Sequence, residues 1–180
     1  MYKSRMGGRG PYTQAVLAAK GIHNVQVTGC PSYYVSCRPD LAIAKAPLPE
    51  RPRVAINASR DVYRHSFDAQ KMERLVRELI AEGVAYGADF IAQSESEEIT
   101  LADAETQAER AGALDRLAAL FAGTAPEPAL RAWLAERMRV HFSVEDWTAA
   151  IRGYDFVAGT RFHGCILALQ NGVPAFVVCH

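Results

Sequence analysis

The chain lacks an excess of charge of either sign: 20 Lys and Arg cancel 20 Asp and Glu, leaving a formal net charge of zero over 180 residues. Without a positive excess it has no bulk charge with which to hold nucleic acid or an anionic lipid surface. Cysteine is scarce too. Cys30, Cys37, Cys165 and Cys179 form no C-x-x-C pair, which argues against a disulfide scaffold and for a reducing, cytoplasmic compartment. Cys179-His180 and His163-Gly164-Cys165 lack the spacing of a metal site, so no metal is expected. Nowhere do about 18 apolar residues run together, so no membrane-spanning segment is expected. The basic start, Met1-Tyr2-Lys3-Ser4-Arg5, leads into Met6-Gly7-Gly8-Arg9-Gly10-Pro11 rather than the apolar core of a secretory signal. Internal repeats and low-complexity tracts are missing as well. Asn57-Ala58-Ser59 matches a glycosylation sequon, but within an apolar strand of a cytoplasmic protein it reads as chance.

What is present is the composition of an ordinary globular domain, 49% hydrophobic and 22% charged, long enough for a sizeable core. Thr13 is placed to cap a short helix over 14–20, and Asn24 to Thr28 alternate like a strand. Residues 29–52 hold Pro31, Pro39, Pro47, Pro49 and Pro52 and read as a linker. Beyond it, strand and helix alternate. Val54 to Ala58 form a short apolar strand, and Met72, Leu75, Val76, Leu79 and Ile80 fall on one helical face. A second strand is expected at 88–92. Ser94-Glu95-Ser96-Glu97 has the form of a capping box opening three helices over 95–137, with breaks at Gly112, Gly123 and Pro126. Strands at 139–142, 154–158 and 175–178 follow, separated by a helix capped at Ser143 and another over 161–170. Five short strands joined by helices predict an α/β, doubly wound, mainly parallel five-stranded Rossmann-like sheet.

If the order is 3-2-1-4-5, the loops after the first and fourth strands face one crevice at the reversal, where such sheets bind ligands. One loop is Ser59 to Ser66, with Arg60 nearest the strand end, then Arg64 and His65. The other is Gly159-Thr160-Arg161-Phe162-His163-Gly164. The latter is no nucleotide P-loop, because Cys165 and Ile166 stand where Lys and Ser/Thr would be needed. It does supply a helix N-terminus, a capping Thr160, the fork of Arg161 and the imidazole of His163, a set suited to a small, doubly anionic substrate. Arg161 and His163 reach the same side only if the helix begins late, with 160–162 extended. The residues alone leave two options open: an anion site, or Arg161 paired with a surface carboxylate and His163 half-buried. His141, at a strand end, is a weaker candidate.

Taken together, Arg9-Gly10-Pro11-x-Thr13, Gly21-Ile22, Gly29-Cys30-Pro31-Ser32, and the downstream run Trp147, Tyr154-Asp155-Phe156-Val157-x-Gly159-x-Arg161-x-His163-Gly164 and Gly172-Val173-Pro174 resemble the polysaccharide pyruvyl transferase family. The resemblance implies a bacterial, glycosyltransferase-B-like enzyme of exopolysaccharide biosynthesis. It would move the enolpyruvyl unit of phosphoenolpyruvate to a sugar and leave a pyruvate ketal. Carried over by position, Arg161 would hold the phosphate or carboxylate of phosphoenolpyruvate, with Thr160, Gly164 and Arg60 as further substrate-binding residues. His163 would protonate the methylene carbon. No cofactor is implied beyond phosphoenolpyruvate as donor; the acceptor would be a sugar or lipid-linked oligosaccharide, met in the cytoplasm or at the inner face of the membrane, and a homo-oligomer is left open. Set against the family, residues 1–30 read as a remnant of an N-terminal Rossmann-like domain, 31–52 as linker, and 53–180 as a C-terminal domain shortened at its end, with the prospect that this fragment alone is inactive. The alternatives are a nucleotide-sugar glycosyltransferase of the same fold and a non-catalytic anion-binding fragment.

Overall fold

A computed structural model describes residues 4–42 and 47–178, apart from the side chains of Arg60 and Asp61. The chain divides into two compact units, Met1–Leu41 and Ala42–His180. In the first, strand β1 (Met6–Gly8) pairs in parallel with β2 (Val25–Val27) across helix α1 (Pro11–Ala18). Thr13 does not cap α1: Gly10 is the N-cap and Pro11 occupies the first turn, where its fixed φ suits a helix start and its missing N–H costs nothing. A short 3-10 helix, Pro31–Tyr34, occupies part of the expected linker.

The second unit is a five-stranded, all-parallel sheet flanked by helices. Its strands are β3 (Val54–Asn57), β4 (Asp89–Ala92), β5 (Met138–Val140), β6 (Phe156–Gly159) and β7 (Ala175–Val177), ordered β5-β4-β3-β6-β7. This is the 3-2-1-4-5 order expected, with the reversal at β3 and β6. Between the strands run a 3-10 helix (Arg60–His65), α2 (Ala69–Tyr86), α3 (Ser96–Asp103), α4 (Gln107–Leu120), α5 (Glu127–Arg137), α6 (Val144–Ile151) and α7 (Phe162–Gln170). The segment after β3, read as open loop, is thus a turn of 3-10 helix.

Period-two alternation decides which residues each face of the sheet receives. Ile56, Phe90 and Ala92 join the core beneath α2, α4 and α5, with Met72, Val76, Ile80, Leu117, Leu130 and Trp133. Trp133 stacks on Phe90 at 5.7 Å and donates from Nε1 to the Ala88 carbonyl at 2.7 Å. Ala55, Ile91 and Val157 join the other core with Ile151, Leu167 and Ala168 of α6 and α7. The face predicted for α2 is the one buried: Met72, Val76 and Ile80 are inside, and Leu75 and Leu79 pack against them. Complete burial of a side chain such as Ile80 stabilises by roughly 1.5–3 kcal/mol. Asp68 accepts from the Lys71 N–H to start α2, and Gly87, at φ 74°, ends it.

Two capping expectations need correcting. Ser94 does not cap α3; the helix starts at Ser96 with Glu95 as its N-cap and no side-chain bond, because Ser94 and Glu95 are engaged elsewhere. Gly112 lies within α4 rather than breaking it. The break falls at 104–106, where Thr106 and Glu109 make a full capping box with both reciprocal bonds. Ser143 caps α6 as expected, accepting from the Asp146 N–H at 3.0 Å.

Candidate active site

The same alternation that sends Ala55, Ile91 and Val157 toward α7 sends Asn57, Gln93 and Gly159 there too, at the carboxyl ends of three adjacent strands. Asn57 is only 1% exposed and ties the strand ends together. Its carbonyl accepts from the Thr160 N–H at 3.0 Å, and its side-chain Oδ1 accepts from the Arg161 N–H at 2.9 Å. Its Nδ2 lies 3.8 Å from the Cys165 sulfur. Glycine is required opposite it on both sides. A Cβ on Gly159 would run into the Asn57 carbonyl and side-chain oxygens, and one on Gly164 would sit 2.8 Å from Gln93 Nε2 and 2.9 Å from Asn57 Nδ2.

Thr160 does not cap α7. Its Oγ1 accepts from the Ser59 N–H at 3.0 Å, joining the ends of β3 and β6. The helix begins one residue later than read, with Arg161 as an extended N-cap (φ −89°, ψ 104°) and no side-chain cap bond. Its first turn therefore presents the positive end of the helix dipole. Phe162 is already helical rather than extended, so the extended run over 160–162 expected to set Arg161 and His163 on one side stops at Arg161. The guanidinium turns to Ser94 and Glu95, and His163 is exposed on the first helical turn.

Arg161 carries the densest set of polar contacts in the site. Its Nη2 donates to Ser94 Oγ at 2.9 Å, its Nε lies 3.4 Å from the Ala58 carbonyl, and its guanidinium pairs with Glu95. Both partners of the ion pair are largely covered, with side chains 18% and 10% exposed. Of the two options the residues left open, a carboxylate partner for Arg161 is present, drawn from the loop after β4. His163 stands exposed on the first turn of α7, its ring edge-on to Phe162 at 5.8 Å. Gly164 is buried against Gln93 and Asn57, so it permits close approach of helix and sheet. The side chain of Arg60 lies outside the described residues; Arg64 and His65 are exposed on the same 3-10 turn. Burial pushes the Cys165 thiol above its ordinary pKa, only partly offset by the Asn57 contact, and the sulfur lies beneath Asn57. Among the described residues no three His, Cys, Asp or Glu side chains cluster to hold a metal.

A family model described as polysaccharide pyruvyl transferase matches residues 8–178, almost the whole chain. The chain belongs to that family. Neither the curated proteins nor the solved structures gave a match. The family is one of transferases whose named activity is pyruvyl transfer, with a polysaccharide as the implied acceptor. Among the described residues of this pyruvyl transferase family member, no helix is long and apolar enough to cross a membrane.

Asn57, Gln93, Ser94 and Glu95 were not singled out for this site from the sequence. A signal existed for all four: each is polar and stands at or just past the carboxyl end of an apolar strand. The strand order already places the loop after β4 beside the loop after β3. Gln93 adds a further mark, since its Nε2 is buried with no hydrogen-bond partner among the described residues.

Proposed function

We propose that the protein transfers the enolpyruvyl unit of phosphoenolpyruvate to a sugar of a polysaccharide or its lipid-linked precursor, forming a pyruvate ketal. The reading is carried by one observation: the Arg161-x-His163-Gly164 run stands at the start of α7, at the sheet's reversal, in a chain of this family. Arg161 offers a planar fork matched to a phosphate or carboxylate, and the helix N-terminus adds favourable potential for negative charge. In the reaction, the imidazolium of His163 gives its proton to the methylene carbon of phosphoenolpyruvate, and positive charge develops at C2. A sugar hydroxyl adds to C2 and loses its proton. A second hydroxyl then displaces inorganic phosphate from C2 and closes the ketal. The methylene becomes a methyl, and the two hydroxyl protons account for the one His163 recovers and the one that leaves with phosphate or solvent.

The test couples binding to turnover. Calorimetry should show phosphoenolpyruvate binding in preference to nucleotide sugars. His163→Gln should leave that affinity within about tenfold, 1.4 kcal/mol. Acceptor-dependent phosphate release should fall by roughly 10²–10⁴, the usual contribution of a positioned general acid. Preferential binding of a nucleotide sugar would replace this reading with a glycosyltransferase, and unimpaired turnover in the variant would remove His163 as the acid.

A further inference from the structure

We infer that Glu95 belongs to the anion subsite as the resident counter-ion of Arg161, occupying the guanidinium until a substrate anion displaces it, and so sets the affinity of the site. The inference rests on reading Arg161 as the anion holder and goes beyond it by naming the group that competes for it.

Three observations converge on Glu95. First, the pair is placed by the sheet: Arg161 is the N-cap of α7 after β6, and Glu95 is the N-cap of α3 after β4, two strands away across β3. Both side chains reach over the end of β3, where Arg161 Nε also lies 3.4 Å from the Ala58 carbonyl. Second, the two residues that lead into α3 are held together and turned to one group: Glu95 Oε2 accepts from the Ser94 N–H at 3.2 Å, and neither side chain caps the helix. Ser94 Oγ accepts from Arg161 Nη2 at 2.9 Å, and Glu95 pairs with the same guanidinium. Third, the pair is largely withdrawn from water, at 18% and 10% side-chain exposure, so it is screened far less than a surface ion pair.

The Nε and Nη2 edge of Arg161 is taken by the Ala58 carbonyl, Ser94 and Glu95, so a ligand that uses this edge of the fork needs a change of partner. A phosphoryl group carries more charge than a carboxylate and offers three acceptor oxygens, so it is suited to replace Glu95. Ser94 and the Ala58 carbonyl can hold the guanidinium in place during the exchange. The cost of releasing Glu95 is common to every anion that uses Arg161, so removing Glu95 raises the affinity for all of them.

The experiment titrates inorganic phosphate and phosphoenolpyruvate into the wild-type chain and into Glu95→Gln, Glu95→Ala, Glu97→Gln and Arg161→Ala, each first checked for native circular dichroism. The expected result is that both Glu95 variants bind phosphate and phosphoenolpyruvate about tenfold more tightly. Glu97→Gln, which removes the same charge from the same helical turn, should stay within twofold of wild type, and Arg161→Ala should lose binding. If both Glu95 variants stay within twofold of wild type, or Glu97→Gln tightens binding as much, the displacement account is wrong; a failure of every variant to bind phosphate also overturns it. If the Glu95 variants tighten phosphate while phosphoenolpyruvate shows no preference over other phosphates, the counter-ion role stands and the pyruvyl-transfer reading falls.

Discussion

His141 follows β5 directly, with its Nε2 buried and without a hydrogen-bond partner among the described residues. Burial lowers its pKa below the ordinary value of 6.5; Arg139 adds to the shift and Asp146 opposes it. A depressed histidine is neutral in the folded protein at a pH where the unfolded chain has begun to bind a proton. Its contribution to stability is therefore present above the unfolded pKa of 6.5 and is lost as pH falls through it toward the folded value. In urea unfolding at pH 7.5 and 5.5, the wild type should lose more stability on acidification than His141→Gln; equal losses would show that His141 does not titrate this way. His141 is also a measure of what single residues disclose. From the sequence it stood out as a strand-end histidine, but nothing in its neighbours foretold that its inner nitrogen would be left without a partner. The place of Arg161 and His163 at the start of α7 was legible because strand, glycine, charge and helix follow one another within a few residues. Glu95 was not, because its partner lies 66 positions away and only the pairing of β3 with both β4 and β6 brings them together.

Helices and strands were legible where apolar periodicity is long and not where other forces set the ends. In α2, five apolar residues at helical spacing identify the buried face without help from the rest of the chain. By contrast β1, Met6–Gly8, has no apolar alternation to read. A Cβ on Gly8 would sit 3.0 Å from Val25 Cγ1 of the neighbouring strand, a tight contact visible only after pairing. Cap motifs were the least dependable signal. The S-x-x-E pattern at Ser94 is taken over by Arg161, whereas the same pattern at Thr106 forms because Thr106 and Glu109 bond one another in both directions. Two orphan donors depend on that box, so Thr106→Ala should cost about 1 kcal/mol in chemical denaturation. A loss below a few tenths would mean that α4 is held by Leu117 and Ala113 in the core with no help from its cap.

The two units differ in how much apolar surface they remove from water. In the first, Val25 is the one buried apolar side chain among the described residues, and α1 buries none. Its sheet has two strands, an assembly of marginal stability without further strands or a packed helix. At about 40 residues, a chain usually needs a disulfide, a metal or a partner surface to fold alone. The second unit fills both faces of its sheet, with fully buried Ile80, Leu117 and Leu134 on one side and Ala55, Ile151 and Ala168 on the other. Every strand of the site, and both halves of the Arg161–Glu95 pair, lie within it. Residues 42–180 expressed alone should therefore unfold in one cooperative thermal transition, and residues 1–41 should show none by circular dichroism. The isolated second unit should also keep the phosphate affinity of the full chain within about threefold, since each residue assigned to the anion subsite is its own. Loss of the cooperative transition would show that a double-sided core of this size does not suffice here. A retained transition with phosphate binding gone would instead place part of the anion site in residues 1–41.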